Sequence, residues 1–460
     1  MQRFYVETLG CPKNDVDSDK LIGALLADGM TATENAADAD LVVVNTCAFI
    51  DTARKESVDT ILALDEQRRD GSRLVVTGCM AERYGDELAE ALPEVDQVAG
   101  FGQAFNLVPV ERDGTEVPVG AAAGRKLIPV SSVPLPAFDL LNLPRPKSAS
   151  PWAYVKIAEG CDRSCGFCAI PSFRGPQRSR DVSSIVDEVR QTEAREIVLV
   201  AQDLASYGKD RPDELGAGSI VPLIDAVAAE ADRVRLLYLY PSDLTDALID
   251  SILRTGVPYF DLSLQHVSKP LLRRMRRWGD GQRFLDRISD IREREPSAAF
   301  RSNFIVGYPG ETEEDHDQLL DFVERAQLDW CGFFSYSDEE GTYAAGLDGH
   351  VDADLMNRRL VELREMQDDI TASRRDALIG TTLEVLVDAP GVGRSHLEAP
   401  EIDGVIHLPH DLVQGDLVRV DIVDALGPDL VAAGVDLAHL DSDDLEEMQT
   451  DLDDAGAWVG

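Results

Sequence analysis

Glu159-Gly160-Cys161-Asp162-Arg163-Ser164-Cys165-Gly166-Phe167-Cys168-Ala169-Ile170-Pro171 places three thiols within eight residues. Thiolates are soft ligands, suited to iron–sulfur clusters or to zinc. A structural zinc site wants four ligands. Beyond Cys168 the next histidine is His266 and the next cysteine Cys331. Three thiolates on a four-iron cube leave one iron open to a substrate or cosubstrate. The loop directly follows an apolar strand candidate, Tyr154–Ala158.

Working outward, residues 152 to about 340 alternate strand and helix patterns. Strand candidates are Tyr154–Ala158, Ile197–Ala201, Val234–Tyr240, Phe260–Leu264, Phe300–Val306 and Cys331–Tyr336. Between them, 183–193 and 311–326 carry one-sided apolar stripes, the first with Ser183 or Ser184 as a helix cap. Six units are too few for an eight-fold barrel, so an open six-stranded barrel is expected. A long helix over 353–376 follows, then strand-rich sequence at Thr382–Val387, Gly404–Leu408 and Leu417–Val423, which predicts a small β-barrel.

Residues 1–127 also alternate, which favours an open parallel sheet with crossover helices. Cys11, Cys47 and Cys79 each follow an apolar strand candidate: Phe4–Leu9, Leu41–Val44 and Leu74–Val76. Ligand sites in such sheets lie outside the carboxyl ends of the strands, and neighbouring strands are ~4.8 Å apart. Three strand-end thiols could therefore converge on a second metal site. The bland reading of each, taken alone, is an ordinary buried cysteine.

The expected organisation is 1–127, a Pro-rich linker at 128–151, a core at 152–376, a β-barrel at 377–440 and an acidic tail at 441–460. Pro129, Pro134, Pro136, Pro144, Pro146 and Pro151 mark the linker as extended. The tail holds eight carboxylates and no base. Across 460 residues, 44 Lys and Arg face 85 Asp and Glu, a net charge of −41. That balance argues against binding nucleic acid by bulk electrostatics and suits a basic protein partner. A salt-adapted proteome, with acidic surfaces throughout, would give the same balance. No apolar run approaches the ~20 residues that span a bilayer, and the N-terminal residues show no export signal. The cytoplasm is expected. Seven cysteines do not form a disulfide framework there.

The C-x3-C-x2-C loop at a first barrel strand resembles the radical S-adenosylmethionine (SAM) superfamily, and Phe167 matches the aromatic that superfamily sets beside the adenine. The whole chain except the tail resembles the methylthiotransferases. The resemblance rests on Thr8 to Ser18, Val44 to Ile50, Val76 to Ala81, Cys161 to Cys168 with Arg178-Ser179-Arg180, and Gln202 to Gly208. It continues through Leu264-Gln265-His266, Phe304 to Thr312 and Tyr336 to Thr342, and the C-terminal barrel looks like a TRAM domain. Two branches compete. One modifies N6-isopentenyladenosine in tRNA; the other, the RimO type, modifies the β-carbon of an aspartate of ribosomal protein S-twelve. Gly10-Cys11-Pro12-Lys13-Asn14 and Glu339-Glu340-Gly341-Thr342 are similar to the ribosomal branch. Residues 377–460 hold 19 carboxylates against Arg394 and Arg419, a net of −17, a poor RNA platform.

The resemblance implies two [4Fe-4S] clusters. One, on Cys161, Cys165 and Cys168, would cleave SAM reductively so that the resulting radical takes a hydrogen from the aspartate. The other, on Cys11, Cys47 and Cys79, would present sulfur, and a second SAM would supply the methyl group. It also implies a low-potential electron donor such as flavodoxin or ferredoxin, and work on the small ribosomal subunit without direct nucleic-acid readout. Gln202 and Gly307, at barrel-strand ends, are candidate SAM contacts beside Phe167; strand-to-helix turn chemistry explains both equally well. A non-catalytic iron–sulfur carrier is a further reading, but a carrier needs neither an open iron nor a six-strand barrel. Gly120 to Lys126 is only a faint phosphate loop. Cys331 reads as buried and inert, His407 and His410 as surface residues. Arg273, Arg274, Arg276 and Arg277 read as a solvated helix face, or as a contact for ribosomal RNA or the electron donor.

Overall fold

The computed structural model describes residues 2–103, 105, 139–214 and 218–435. The chain divides after Pro146 into two units. The faint phosphate loop and the acidic tail lie outside the described residues.

In the first unit, five parallel strands form one sheet. They are β1 (Arg3–Thr8), β2 (Thr31–Ala32), β3 (Leu41–Thr46), β4 (Arg73–Gly78) and β5 (Gln97–Val98), in the order β2-β1-β3-β4-β5. Every residue of β3 and β4 is buried, as expected of strands covered on both faces. Helices α1 (Pro12–Ala27), α2 (Asp51–Gln67) and α3 (Cys79–Ala91) make the crossovers. The described part of the expected linker is held on α1. Lys20, fully buried, donates to the Leu141 carbonyl at 2.7 Å, and Arg145 pairs with Asp19.

The second unit opens with β6 (Trp152–Lys156), then the short pair β7 (Ala158–Glu159) and β8 (Arg178–Ser179), with α4 (Ile170–Arg174) between them. It continues through α5 (Val182–Thr192), β9 (Glu196–Val200), α6 (Val221–Ala228), β10 (Arg233–Leu236), α7 (Asp246–Arg254) and β11 (Tyr259–Gln265). Then come α8 (Lys269–Arg274), α9 (Gly281–Arg294), β12 (Ala299–Val306), α10 (Glu313–Ala326), β13 (Trp330–Ser335) and α11 (Ala353–Asp376). Strands β6, β9 and β10 form one parallel sheet and β11, β12 and β13 another. A bridge from Leu239 to Leu262 joins the two between β10 and β11. The six strands thus follow one another in chain order, as a partial (β/α)6 barrel requires. The cap expected from Ser183 or Ser184 is instead Asp181, which makes no side-chain cap bond. Thr312 and Asp315 close a reciprocal capping box on α10, a strong start signal.

The C-terminal strands β14 (Thr382–Ala389), β15 (Val392–Arg394), β16 (Ile406–His407), β17 (Leu417–Leu426) and β18 (Asp429–Ala432) close into a barrel. The sequence reading missed β15 and β18, which are too short to show a period. His407 is buried beside Asp429 in this barrel and is not a surface residue; His410 is exposed.

The loop between β15 and β16 packs on the amino-terminal ends of β6, β10, β11, β12 and β13, and β9 joins through Glu196, which pairs with Arg394 of β15. Tyr154 donates to the Pro400 carbonyl at 3.1 Å. Arg235 binds Glu196 at 2.7 Å and donates to the Ser395 and His396 carbonyls. Tyr259 and Arg301 each donate to Asp403 at 2.6 Å, and Trp330 donates to the Leu397 carbonyl at 2.7 Å. The small barrel therefore plugs the end opposite the cysteine loop. Removing one partner of a buried ion pair strands the other.

Burial alone would raise the Glu196 carboxyl, but Arg394 and Arg235 outweigh it and hold the group at about 2. Its ionisation therefore stabilises the fold above its ordinary value of 4.5, and that contribution drains away as pH falls toward 2. We expect Glu196→Gln to cost about 3 kcal/mol at neutral pH. The deficit against the parent should narrow on acidification below 4.5. Thermal or urea unfolding followed by circular dichroism at several pH values measures both.

Candidate active site

The cysteine loop begins where β6 gives way to the short β7–β8 pair. Gly160 has φ +77°, and a Cβ there would meet the Pro176 carbonyl oxygen at 2.1 Å, so glycine is required. Glu159 is tied to fully buried Lys156 at 2.7 Å and to Arg174 at 3.1 Å. Against the cost of burial, these two cations pull its carboxyl down to about 2. The loop itself is pinned by backbone bonds: Cys161 N–H to the Gly175 carbonyl at 3.0 Å, Gly166 N–H to the Met275 carbonyl at 2.8 Å, and Ala344 N–H to the Gly166 carbonyl at 2.8 Å. A Cβ on Gly166 would meet the Tyr308 hydroxyl at 2.6 Å.

Cys161 is buried; Cys165 and Cys168 are half-buried. Burial, reinforced by the charges of neighbouring thiols, pushes Cys161 up to about 11 and Cys168 up to about 12. Without a cation Cys161 and Cys168 hold their protons at neutral pH, whereas a metal keeps a coordinating thiol deprotonated. Among the described residues no three His, Cys, Asp or Glu side chains close around a single metal ion. A cube takes each thiolate on a different iron, so its ligands stand wider than those of one ion. The donor chemistry fits an iron–sulfur cluster on this loop.

Phe167 is half-buried and packs against the barrel core. Gln202, two residues beyond β9, has a buried Oε1 with no hydrogen-bond partner, an acceptor left open at the carboxyl end of the barrel. Gly307 directly follows β12. It has φ +84°, its N–H donates to Glu311 at 2.6 Å, and a Cβ would meet Met356 Sδ at 2.3 Å. The approach of α11 accounts for this glycine, and its N–H is already committed.

The arginine cluster is not a solvated helix face. Arg277 points at the loop, with Nη1 3.4 Å from Cys165 Sγ. Arg274 donates to the Pro309 carbonyl at 2.8 Å, and Arg276 stacks 3.7 Å over Tyr343. Arg273 alone of the four stays exposed without such a contact. Cys331, half-buried on β13, has its thiol pushed up by burial, in keeping with an inert residue.

In the first unit, Cys11 caps the start of α1, Cys47 follows β3 and Cys79 opens α3 after β4. These strands are neighbours. Gly10, at φ +98°, allows Cys47 close by: a Cβ there would meet Cys47 Sγ at 3.0 Å. Asn14, which the sequence reading gave no role, ties the three strand ends together. Its Nδ2 donates to the Leu9 carbonyl at 2.7 Å and the Thr46 carbonyl at 3.1 Å, and its Oδ1 lies 3.7 Å from Cys79 Sγ. Its place three residues after Cys11, on the same helical turn, was the available signal. Ser57 Oγ bonds both the Cys47 N–H and carbonyl at 3.2 Å.

An open six-stranded barrel with a three-cysteine loop after its first strand defines a radical SAM enzyme, and residues 155–323 match the radical SAM superfamily. Residues 379–435 match the TRAM domain and residues 3–100 an uncharacterized protein family, UPF0004. The chain is 43% identical to the "Ribosomal protein uS12 methylthiotransferase RimO" of Cutibacterium acnes, over 94% of this chain and 98% of that one. The protein of the same name from Saccharopolyspora erythraea is 41% identical, over 95% and 96%; that from Frankia casuarinae is 42% identical, over 94% and 92%. The chain belongs to the RimO family of methylthiotransferases, and it is a transferase whose family implies SAM and a [4Fe-4S] cluster. No helix among the described residues is long and apolar enough to cross a membrane.

Gly166→Ala should push the loop off Tyr308 and lower the iron content of the protein, with the far-ultraviolet circular dichroism unchanged. Iron assay after anaerobic purification checks this.

Proposed function

We propose that this chain methylthiolates the β-carbon of an aspartate in ribosomal protein S-twelve. The observation that carries the target is near-full-length identity above 40% with relatives named for that ribosomal protein. The surface of the C-terminal barrel supports a protein target over RNA. Of its two bases, Arg394 is buried between Asp388 and Glu196, which leaves Arg419 as the exposed cation among its described residues. A basic protein meets such a surface with complementary charge.

In this proposal Cys161, Cys165 and Cys168 hold the barrel cluster, and Cys11, Cys47 and Cys79 hold a second one that provides sulfur. When bound, the barrel cluster supplies the single electron that splits the sulfonium of SAM into methionine and a carbon radical able to remove hydrogen from an unactivated carbon. The protein's own part is placement. The pinned backbone of 161–168 fixes where the open corner faces. Gln202 Oε1 offers an acceptor to an amino group of SAM, and Phe167 offers an apolar face to its adenine. Gly307 shapes the turn that Glu311 and Arg359 brace at 2.7 Å. Asn14 keeps the three strand-end thiols in register. The domain limits 1–127, 152–376 and 377–440 belong to the same proposal, as do a flavodoxin- or ferredoxin-like donor and a cytoplasmic setting.

Mass spectrometry of ribosomal proteins from cells with and without the gene tests the target. A methylthio group on an aspartate of S-twelve, lost with the gene, is expected. An unmodified aspartate with methylthio-adenosine lost from tRNA would assign the chain to the other branch.

A further inference from the structure

Arg277 is a half-buried guanidinium that no carboxylate pairs with among the described residues, in a chain of net charge −41. The neighbouring Arg163 shows the contrast: it is neutralised by Asp203 and Asp243. Arg277 is nonetheless held firmly. Its Nη2 donates to the Ser263 carbonyl in β11, two residues before Gln265 closes the strand. Its guanidinium stacks 4.0 Å from the Tyr240 ring, which Arg163 also contacts at 3.9 Å. Its backbone N–H donates to the Leu272 carbonyl at 2.7 Å. The other terminal nitrogen, Nη1, reaches Cys165 Sγ at 3.4 Å. A cation this well fixed and this poorly compensated, aimed at a cysteine sulfur, needs an anion at that sulfur.

We infer that Arg277 is a positioning residue for the barrel cluster: its charge and N–H on the Cys165 sulfur make the cluster easier to reduce. This rests on the reading that Cys161, Cys165 and Cys168 hold that cluster. One-electron reduction adds one negative charge to the cluster and its thiolates. A nearby cation and an N–H donor both favour the more negative state, so both raise the reduction potential. The backbone N–H of Arg163, 3.4 Å from Cys161 Sγ, acts in the same direction but carries no net charge. Stacking on Tyr240 and the Ser263 contact hold the guanidinium plane, a task lysine performs less well because it lacks the planar fork.

The test uses the full chain with Cys11, Cys47 and Cys79 replaced by alanine, so that only the barrel triad remains. Iron is assayed first. A parent without iron fails the cluster assignment itself and is distinct from failure of this inference. Arg277→Gln, Arg277→Lys and the exposed control Arg273→Gln are then titrated with dithionite, with the reduced cluster read by electron paramagnetic resonance. Arg277→Gln should shift the reduction equilibrium about tenfold toward the oxidised form, a fall of about 59 mV for one electron. Arg277→Lys should fall between it and the parent, and Arg273→Gln should match the parent. An iron-loaded Arg277→Gln with the parent potential overturns the inference. If that variant holds no iron, Arg277→Lys decides by the same criterion. Loss of iron from both variants also overturns it, since Arg277 would then serve assembly and not potential.

Discussion

A thiolate buried away from water needs a positive charge beside it. Burial drives Cys161 and Cys168 far toward the protonated form, and much of the surrounding structure exists to keep these thiols in one place regardless. Glycines at 160 and 166 let the backbone pass where a side chain would collide. Carbonyls and N–H groups from Gly175, Met275 and Ala344 fix the loop from three sides. Such a loop is costly to build for a protein that never loads it, and in the proposed assignment iron supplies the missing charge.

The two ends of the barrel divide the work. The carboxyl ends carry the thiols, the open Gln202 acceptor and Arg277. The amino ends are closed by the 395–403 loop, which satisfies Arg235, Arg301 and Trp330. A six-stranded barrel is left open where a closed one would pack its own floor, and the C-terminal module provides that floor. Stability and chemistry are thereby separated along the strand direction, so substitutions at Glu196 or Asp403 are expected to act on folding, and those near Cys165 on the cluster.

Much of this was legible in the sequence because it repeats or has a period. Six apolar runs gave six strands, five of them within two residues at both ends; β10 stops at Leu236, four short of the expected Tyr240, and α11 matched its predicted limits. The thiol spacing located the barrel loop, and Cys11, Cys47 and Cys79 stood out by recurring after strands. Contacts that join distant segments were not legible. Arg277 meets Cys165 across 112 positions, and in one dimension it looked like part of a solvated run. The plug residues Ser395 to Asp403 have no period at all. Nothing in the pattern near His407 signals that Asp429 covers it. Asn14 was visible as a residue but its role depends on three strand ends meeting, which only folding brings about.

The claim on which the account stands is that the two thiol triads each bind one cluster. Iron and sulfide content of anaerobically purified protein tests it most directly, with the triads replaced by alanine one at a time. The account predicts about eight irons in the parent and about four in each triple variant, as two four-iron clusters require. Replacement of Cys11, Cys47 and Cys79 that left iron and sulfide at the parent level would contradict it.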